Sequence, residues 1–156
     1  MNYYSSAFPV LTSSKGIAYE IYLAGCKGYC ESCHSKHTWD FNAGIPMEEV
    51  WPRLRDSLLE NRELFDNIVI MGGEPLDHGY DLELFLERLG GEFPDKNIYL
   101  YTHFEIGDVR EGIFKHTDYI KCGRYIKSLP NDKPDPLGNV TLSSSNQYFV
   151  KGDRKK

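Results

Sequence analysis

No apolar run in this sequence comes near the roughly 18 residues that a bilayer-spanning helix needs, so a membrane partner is not expected. The opening Met1-Asn2-Tyr3-Tyr4-Ser5-Ser6 lacks both a basic start and an apolar stretch, so it does not have the pattern of a secretory signal. Positive charge is also short. Against 23 Asp and Glu stand 18 Lys and Arg, a formal net charge of −5, which gives no general attraction to nucleic acid. The one basic stretch, residues 151–156, is brief and reads as a frayed tail rather than a binding arm. Internal repeats and low-complexity segments are missing too. These absences point to a cytoplasmic protein, and 156 residues are enough for one domain with a core that needs no disulfides.

Cysteine is scarce, at four residues, but it is not scattered. Three of the four fall in Cys26-Lys27-Gly28-Tyr29-Cys30-Glu31-Ser32-Cys33, a C-x3-C-x2-C spacing. Clustered cysteines without secretory signs bind metal or do redox chemistry more often than they form disulfides. Three thiolates on one short loop can supply three corners of an iron–sulfur cube, which leaves one iron open for a small molecule. They can equally supply three of the four ligands of a structural zinc, with His34 or His37 completing the shell. The fourth cysteine, Cys122, sits far along the chain and reads as a buried thiol.

Coarse structure places this loop. Residues 1–16 read as an N-terminal arm ending in the polar turn Thr12-Ser13-Ser14-Lys15-Gly16. A first strand is expected over Ile17–Ala24, leading directly into the cysteines. Pro46 opens a helix whose apolar stripe is Met47, Val50, Trp51, Leu54 and Leu58. Ile68-Val69-Ile70-Met71 is a buried strand that ends in Gly72-Gly73-Glu74-Pro75. A second helix is expected over Asp81–Leu89, stopped by Gly90-Gly91. Ile98–Tyr101 is a strand followed by Thr102-His103. A short helix fits between Gly107 and Lys115, a strand covers Tyr119–Cys122, residues 130–138 are loop, and an edge strand fits 146–150.

Strands alternating with helices imply parallel βαβ units, in which ligands gather at the carboxyl ends of the strands. The cysteine loop, the diglycine turn and Thr102-His103 all fall there. A strand ending in two glycines offers bare backbone carbonyls, and Glu74 adds a carboxylate beside them, a set suited to an amino group. Of the histidines outside the cysteine loop, His103 is the one expected to face this site.

These residues carry a family resemblance. The C-x3-C-x2-C loop followed by Gly-Gly-Glu-Pro resembles the radical S-adenosylmethionine enzymes. Within them the chain is similar to the activating proteins of anaerobic ribonucleotide reductases. Thr38-Trp39 and Asn42-Ala43-Gly44 resemble the sequel to that family's cluster loop. Met71-Gly72-Gly73-Glu74-Pro75-Leu76 is similar to its Ser-Gly-Gly-Asp-Pro-Leu, and Ser143-Ser144-Ser145-Asn146-Gln147 to its Gly-Ser-Ser-Asn-Gln. Where the family has Asp-Gly-Lys-Phe, this chain has Cys122-Gly123-Arg124-Tyr125.

The resemblance implies an α/β fold, a single radical S-adenosylmethionine domain over residues 1–156 built as a partial, open β/α barrel with mostly parallel strands. It implies a [4Fe-4S] cluster on Cys26, Cys30 and Cys33, with S-adenosylmethionine bound by Ser32, His34, Gly72, Gly73, Glu74, Thr102 and Asn146. The implied reaction is reductive cleavage of the cofactor to methionine and a 5′-deoxyadenosyl radical, which takes a hydrogen atom from a glycine of the large reductase subunit. A flavodoxin-like protein would donate the electron. A radical enzyme acting on a small molecule, in the manner of the deazapurine synthases, and a zinc-stabilised binding module without catalysis are the alternatives.

Overall fold

The computed structural model describes residues 1–156. Seven strands form one sheet: β1 (Asn2–Val10), β2 (Ala18–Leu23), β3 (Ile45–Pro46), β4 (Asn67–Gly72), β5 (Asn97–Tyr101), β6 (Tyr119–Cys122) and β7 (Tyr148–Lys151). Their order is β3-β1-β2-β4-β5-β6-β7. The central strands β2, β4, β5 and β6 run parallel, whereas β1, β3 and β7 pair antiparallel at the flanks. Helices α1 (Met47–Glu60), α2 (Tyr80–Glu92) and α3 (Glu111–Lys115) fill the crossovers. No helix is long and apolar enough to cross a membrane.

Alternate residues of a strand face opposite sides of the sheet, and here the two sides have different work. Tyr19, Ile21, Leu23, Ile68, Ile70, Ile98, Leu100 and Ile120 join the large core beneath the helices. Met47, Val50, Leu54 and Leu58 of α1 and Leu82, Phe85, Leu86 and Leu89 of α2 pack into that core. The intervening residues Ala18, Val69 and Tyr99 pack on the other side against Val140, Leu142 and Phe149. That second face is covered by the long loop before β7, not by helices.

Two expectations need correction. The N-terminal arm is a strand. β1 pairs with β2 from Tyr3↔Leu23 to Val10↔Ala18. Its register shifts between Tyr3 and Ser5 and again between Ala7 and Val10, which breaks the alternation by which a strand is recognised. Phe8 nevertheless anchors it, stacked on Tyr19 with ring centroids 5.4 Å apart and edge-on to Phe65. In addition, Gly90-Gly91 does not end α2, which runs on to Glu92. The fully buried Phe93 holds this last turn, and its N–H donates to Leu89 O at 2.8 Å. Tertiary packing here outweighs the weak helix preference of glycine.

The parallel ladder sets the site. β2 and β4 match from Ala18↔Asn67 to Leu23↔Gly72, so the cysteine loop and the diglycine turn leave the sheet side by side. β5 and β6 end beside them, with Tyr101 opposite Lys121.

Candidate functional site

A cavity of about 200 Å³ opens at the carboxyl ends of the central strands. Cys26, Cys30 and Cys33 all line it, together with Gly72, Gly73 and Glu74. His34, Thr102 and His103 complete that rim. Its floor is the second face of the sheet, where Tyr22, Met71, Tyr101 and Lys121 stand in line at the strand ends. Two expected residues lie elsewhere. Ser32 lines a separate outer recess beside Cys30. Asn146 turns its amide to Arg124 O at 2.8 Å, and its buried Oδ1 has no partner.

The cysteine loop is tied down at both ends. Gly25 N and Cys26 N donate to Thr38 O and Trp39 O at 2.6 and 3.1 Å. Lys27 N donates to Asp77 Oδ2 at 2.8 Å, so Asp77 anchors the loop. Tyr29 adopts φ 44° and sets its exposed ring edge-on to Trp39, with centroids 5.0 Å apart. Each cysteine sulfur accepts one N–H: Cys26 from Gly28 N at 3.3 Å, Cys33 from Ser35 N at 3.3 Å, and Cys30 from Arg124 Nη1 at 2.9 Å. Burial pushes the Cys26 thiol up, and the N–H groups of Gly28 and Tyr29 oppose that.

All four cysteines are free thiols. No set of three or more His, Cys, Asp or Glu side chains closes around a single ion position. A tetrahedral zinc would need such closure, with every sulfur about 2.3 Å from one centre. Three unlinked thiols around a common cavity fit a larger group with several corners, and an iron–sulfur cluster is such a group. Cys122 is fully buried in the helix-side core, where burial pushes its thiol up to about 11.

The diglycine turn depends on its missing side chains. Gly72 has φ 109°, and a Cβ there would lie 2.4 Å from Leu23 backbone atoms. A Cβ on Gly73 would lie 2.2 Å from Gly25 O. The closeness is used: Gly73 N donates to Leu23 O and Glu74 N to Gly25 O, at 2.9 and 2.7 Å. Glu74 itself is 1% exposed. Its Oε1 accepts from Leu76 N at 3.0 Å and from Thr102 Oγ1 at 2.6 Å, and its Oε2 from His103 N at 2.8 Å. His103 Nδ1 lies 3.1 Å from Oε2. Burial still prevails and lifts the carboxyl to about 7, although these donors pull it down. A buried carboxylate of this kind is an incomplete ion pair that a cationic ligand group would complete.

The floor was not expected from the sequence. Lys121 is 8% exposed and donates from Nζ to Gly123 O at 2.9 Å, and burial holds it down at about 8. Tyr22 OH donates to Glu20 Oε2, and burial pushes both Tyr22 and Tyr101 well above the usual phenol range. There was a signal for these residues. Glu20, Tyr22 and Lys121 are the polar alternate positions in strands that have neighbours on both sides, where both faces of the sheet are expected to be apolar. A polar residue at such a position marks a face that lines a cavity.

A family model described as a 4Fe-4S single cluster domain matches residues 13–149. The chain is similar to the anaerobic ribonucleoside-triphosphate reductase-activating protein of Pasteurella multocida (strain Pm70), 26% identical over 97% of this chain and 98% of that protein. It is likewise similar to the protein of that name from Escherichia coli (strain K12), 26% identical over 94% and 96%. The protein of the same name from Enterobacteria phage T4 is 24% identical over 83% and 85%.

Proposed function

The chain belongs to the 4Fe-4S single cluster domain family, and from that premise we propose that it is an iron–sulfur activase. It cleaves S-adenosylmethionine reductively and generates a glycyl radical on the large subunit of an anaerobic ribonucleotide reductase. On this reading residues 1–156 form one radical S-adenosylmethionine domain, a partial and open β/α barrel, and a flavodoxin-like protein supplies the electron in the cytoplasm. The observation that carries the reading is the shared cavity: three free thiols and the Gly72-Gly73-Glu74 turn line the same space. The near full-length similarity to reductase-activating proteins supports the partner.

When bound, the cluster supplies one electron to the sulfonium of S-adenosylmethionine, whose cleavage gives the radical that abstracts hydrogen from the target glycine. The chain's own part is holding and shielding. Cys26, Cys30 and Cys33 would hold the cluster at the rim of the cavity. The carbonyls of Gly72 and Gly73 and the carboxylate of Glu74 receive the amino group of the methionine moiety. Thr102 and His103 hold that carboxylate in place through the bonds described above. The Tyr29–Trp39 and His34–Tyr125 ring pairs flank the cysteine loop.

The test is anaerobic reconstitution with iron and sulfide, then addition of reductant and S-adenosylmethionine, with 5′-deoxyadenosine as the measured product. Cys30→Ala is expected to abolish the product, and Cys122→Ala to leave it intact. Equal loss in both variants would overturn the ligand assignment. A colourless protein holding one zinc and no iron would overturn the reading as a whole.

A further inference from the structure

The three cysteine sulfurs are not served alike. Cys26 and Cys33 accept from backbone N–H groups two residues further on, bonds that belong to the loop's own folding. Cys30 is met from outside the loop. Arg124 reaches it from 94 residues along the chain, and the same nitrogen donates to Gly28 O at 3.1 Å. The guanidinium is the one donor of the three that carries a full and permanent charge.

The backbone that presents Arg124 is fixed to an unusual degree. Gly123, at φ 100°, turns the chain at the end of β6. Gly123 N donates to Phe104 O at 3.0 Å, while Gly123 O accepts from Lys121 Nζ at 2.9 Å and Gln147 Nε2 at 3.1 Å. Arg124 O accepts from Asn146 Nδ2 at 2.8 Å. The Asn146-Gln147 pair that stood out in the sequence thus closes on this turn. The Arg124 side chain itself is exposed, so no core contact explains the arrangement.

We propose that Arg124 is a positioning residue for the cluster: its guanidinium holds the Cys30 thiolate and draws charge from it, raising the cluster's reduction potential, and Asn146 and Gln147 clamp it there. This rests on the reading that Cys26, Cys30 and Cys33 hold an iron–sulfur cluster. Reduction adds one electron to the cluster, and a fixed positive charge donating to a ligand sulfur stabilises the reduced form over the oxidised one. Hydrogen bonds to ligand sulfurs are among the levers that set such potentials.

The experiment compares full-length wild type, Arg124→Met, Arg124→Lys and Asn146→Ala after anaerobic reconstitution. Iron and sulfide per chain are measured first. The reduced-cluster electron paramagnetic resonance signal is then titrated against solution potential. Iron content is expected to be equal in all four. At a fixed potential the reduced-to-oxidised ratio is expected to fall about tenfold in Arg124→Met, which is about 59 mV for a one-electron couple. Arg124→Lys should fall between, and Asn146→Ala should shift the same way as Arg124→Met. An unchanged midpoint in Arg124→Met with full iron content would overturn the proposal alone. Iron loss in Arg124→Met with no midpoint shift in Arg124→Lys would also overturn it, because a purely mechanical staple does that. A wild type that takes up no cluster would bring down the cluster reading itself.

Discussion

Replacing Glu74 by Gln should make the stability of the cluster-free protein less dependent on pH, and the size of the change follows from the site. Burial raises the Glu74 carboxyl from an ordinary 4.5 to about 7. Across that window the folded chain keeps a proton that the unfolded chain has lost. Stability therefore falls as pH rises from about 4.5 to about 7 and is level above that. Each pH unit inside the window is worth about 1.4 kcal/mol, so wild type should lose about 2–3 kcal/mol between pH 5 and pH 8 through this group. His103 runs the other way. Burial lowers its value, so the unfolded chain binds the proton first and stability rises with pH up to the ordinary histidine range. Its Nδ1 lies 3.1 Å from Glu74 Oε2, so both proteins are compared with His103 replaced by Gln, which removes that contribution. The substitution also leaves donors such as Leu76 N and His103 N facing an amide, a penalty that does not change with pH. The assay is urea denaturation of reduced, metal-free His103→Gln protein, with and without Glu74→Gln, at pH 5 and pH 8. The stability of the protein that keeps Glu74 relative to the one that lacks it should drop by about 2–3 kcal/mol from the lower pH to the higher. A difference that stays the same at both pH values would refute the argument that burial governs this carboxyl.

The same group predicts how a ligand amino group will bind. Below about pH 7 the affinity for S-adenosylmethionine should weaken about tenfold per pH unit, because Glu74 must first give up its proton; calorimetric binding that is flat from pH 5.5 to 7 would contradict this. Thr102→Val removes a donor that holds Glu74 down, so the midpoint of that binding profile should move to higher pH, and an unmoved midpoint would show that the hydroxyl is idle. Gly73→Ala forces a Cβ to within 2.2 Å of Gly25 O and should destabilise the fold by about 2 kcal/mol or more, seen as a lowered thermal midpoint, with failure if the midpoint is unchanged. Leu86→Ala empties a fully buried position under the sheet and should cost about 2–5 kcal/mol in denaturant unfolding, a loss that a solvent-facing residue would not show.

Much of this arrangement could be read from the residues, because its parts are local. The first buried strand, the diglycine ending and the two amphipathic helices each declare themselves within a dozen positions. What escaped was set by contacts distant in sequence. β1 was hidden by two register shifts, and its pairing with β2 is a matter of the sheet, not of its own alternation. The end of α2 depends on Phe93 finding the core. The position of Asp77 as an anchor depends on Lys27 arriving from 50 residues away. The floor residues Tyr22, Tyr101 and Lys121 were visible as β-formers or as lone polar residues, but their common side becomes evident only when neighbouring strands are laid in register.

Because Leu23 sits opposite Gly72, the gap between the cysteine loop and the diglycine turn is set by counting residues along two adjoining strands. One extra residue within β2 or β4 would slide one half of the site past the other by about 3.3 Å, beyond any hydrogen-bond tolerance, and would turn every inward side chain outward. An engineer wishing to graft new segments onto this scaffold must leave the lengths of β2 and β4 untouched.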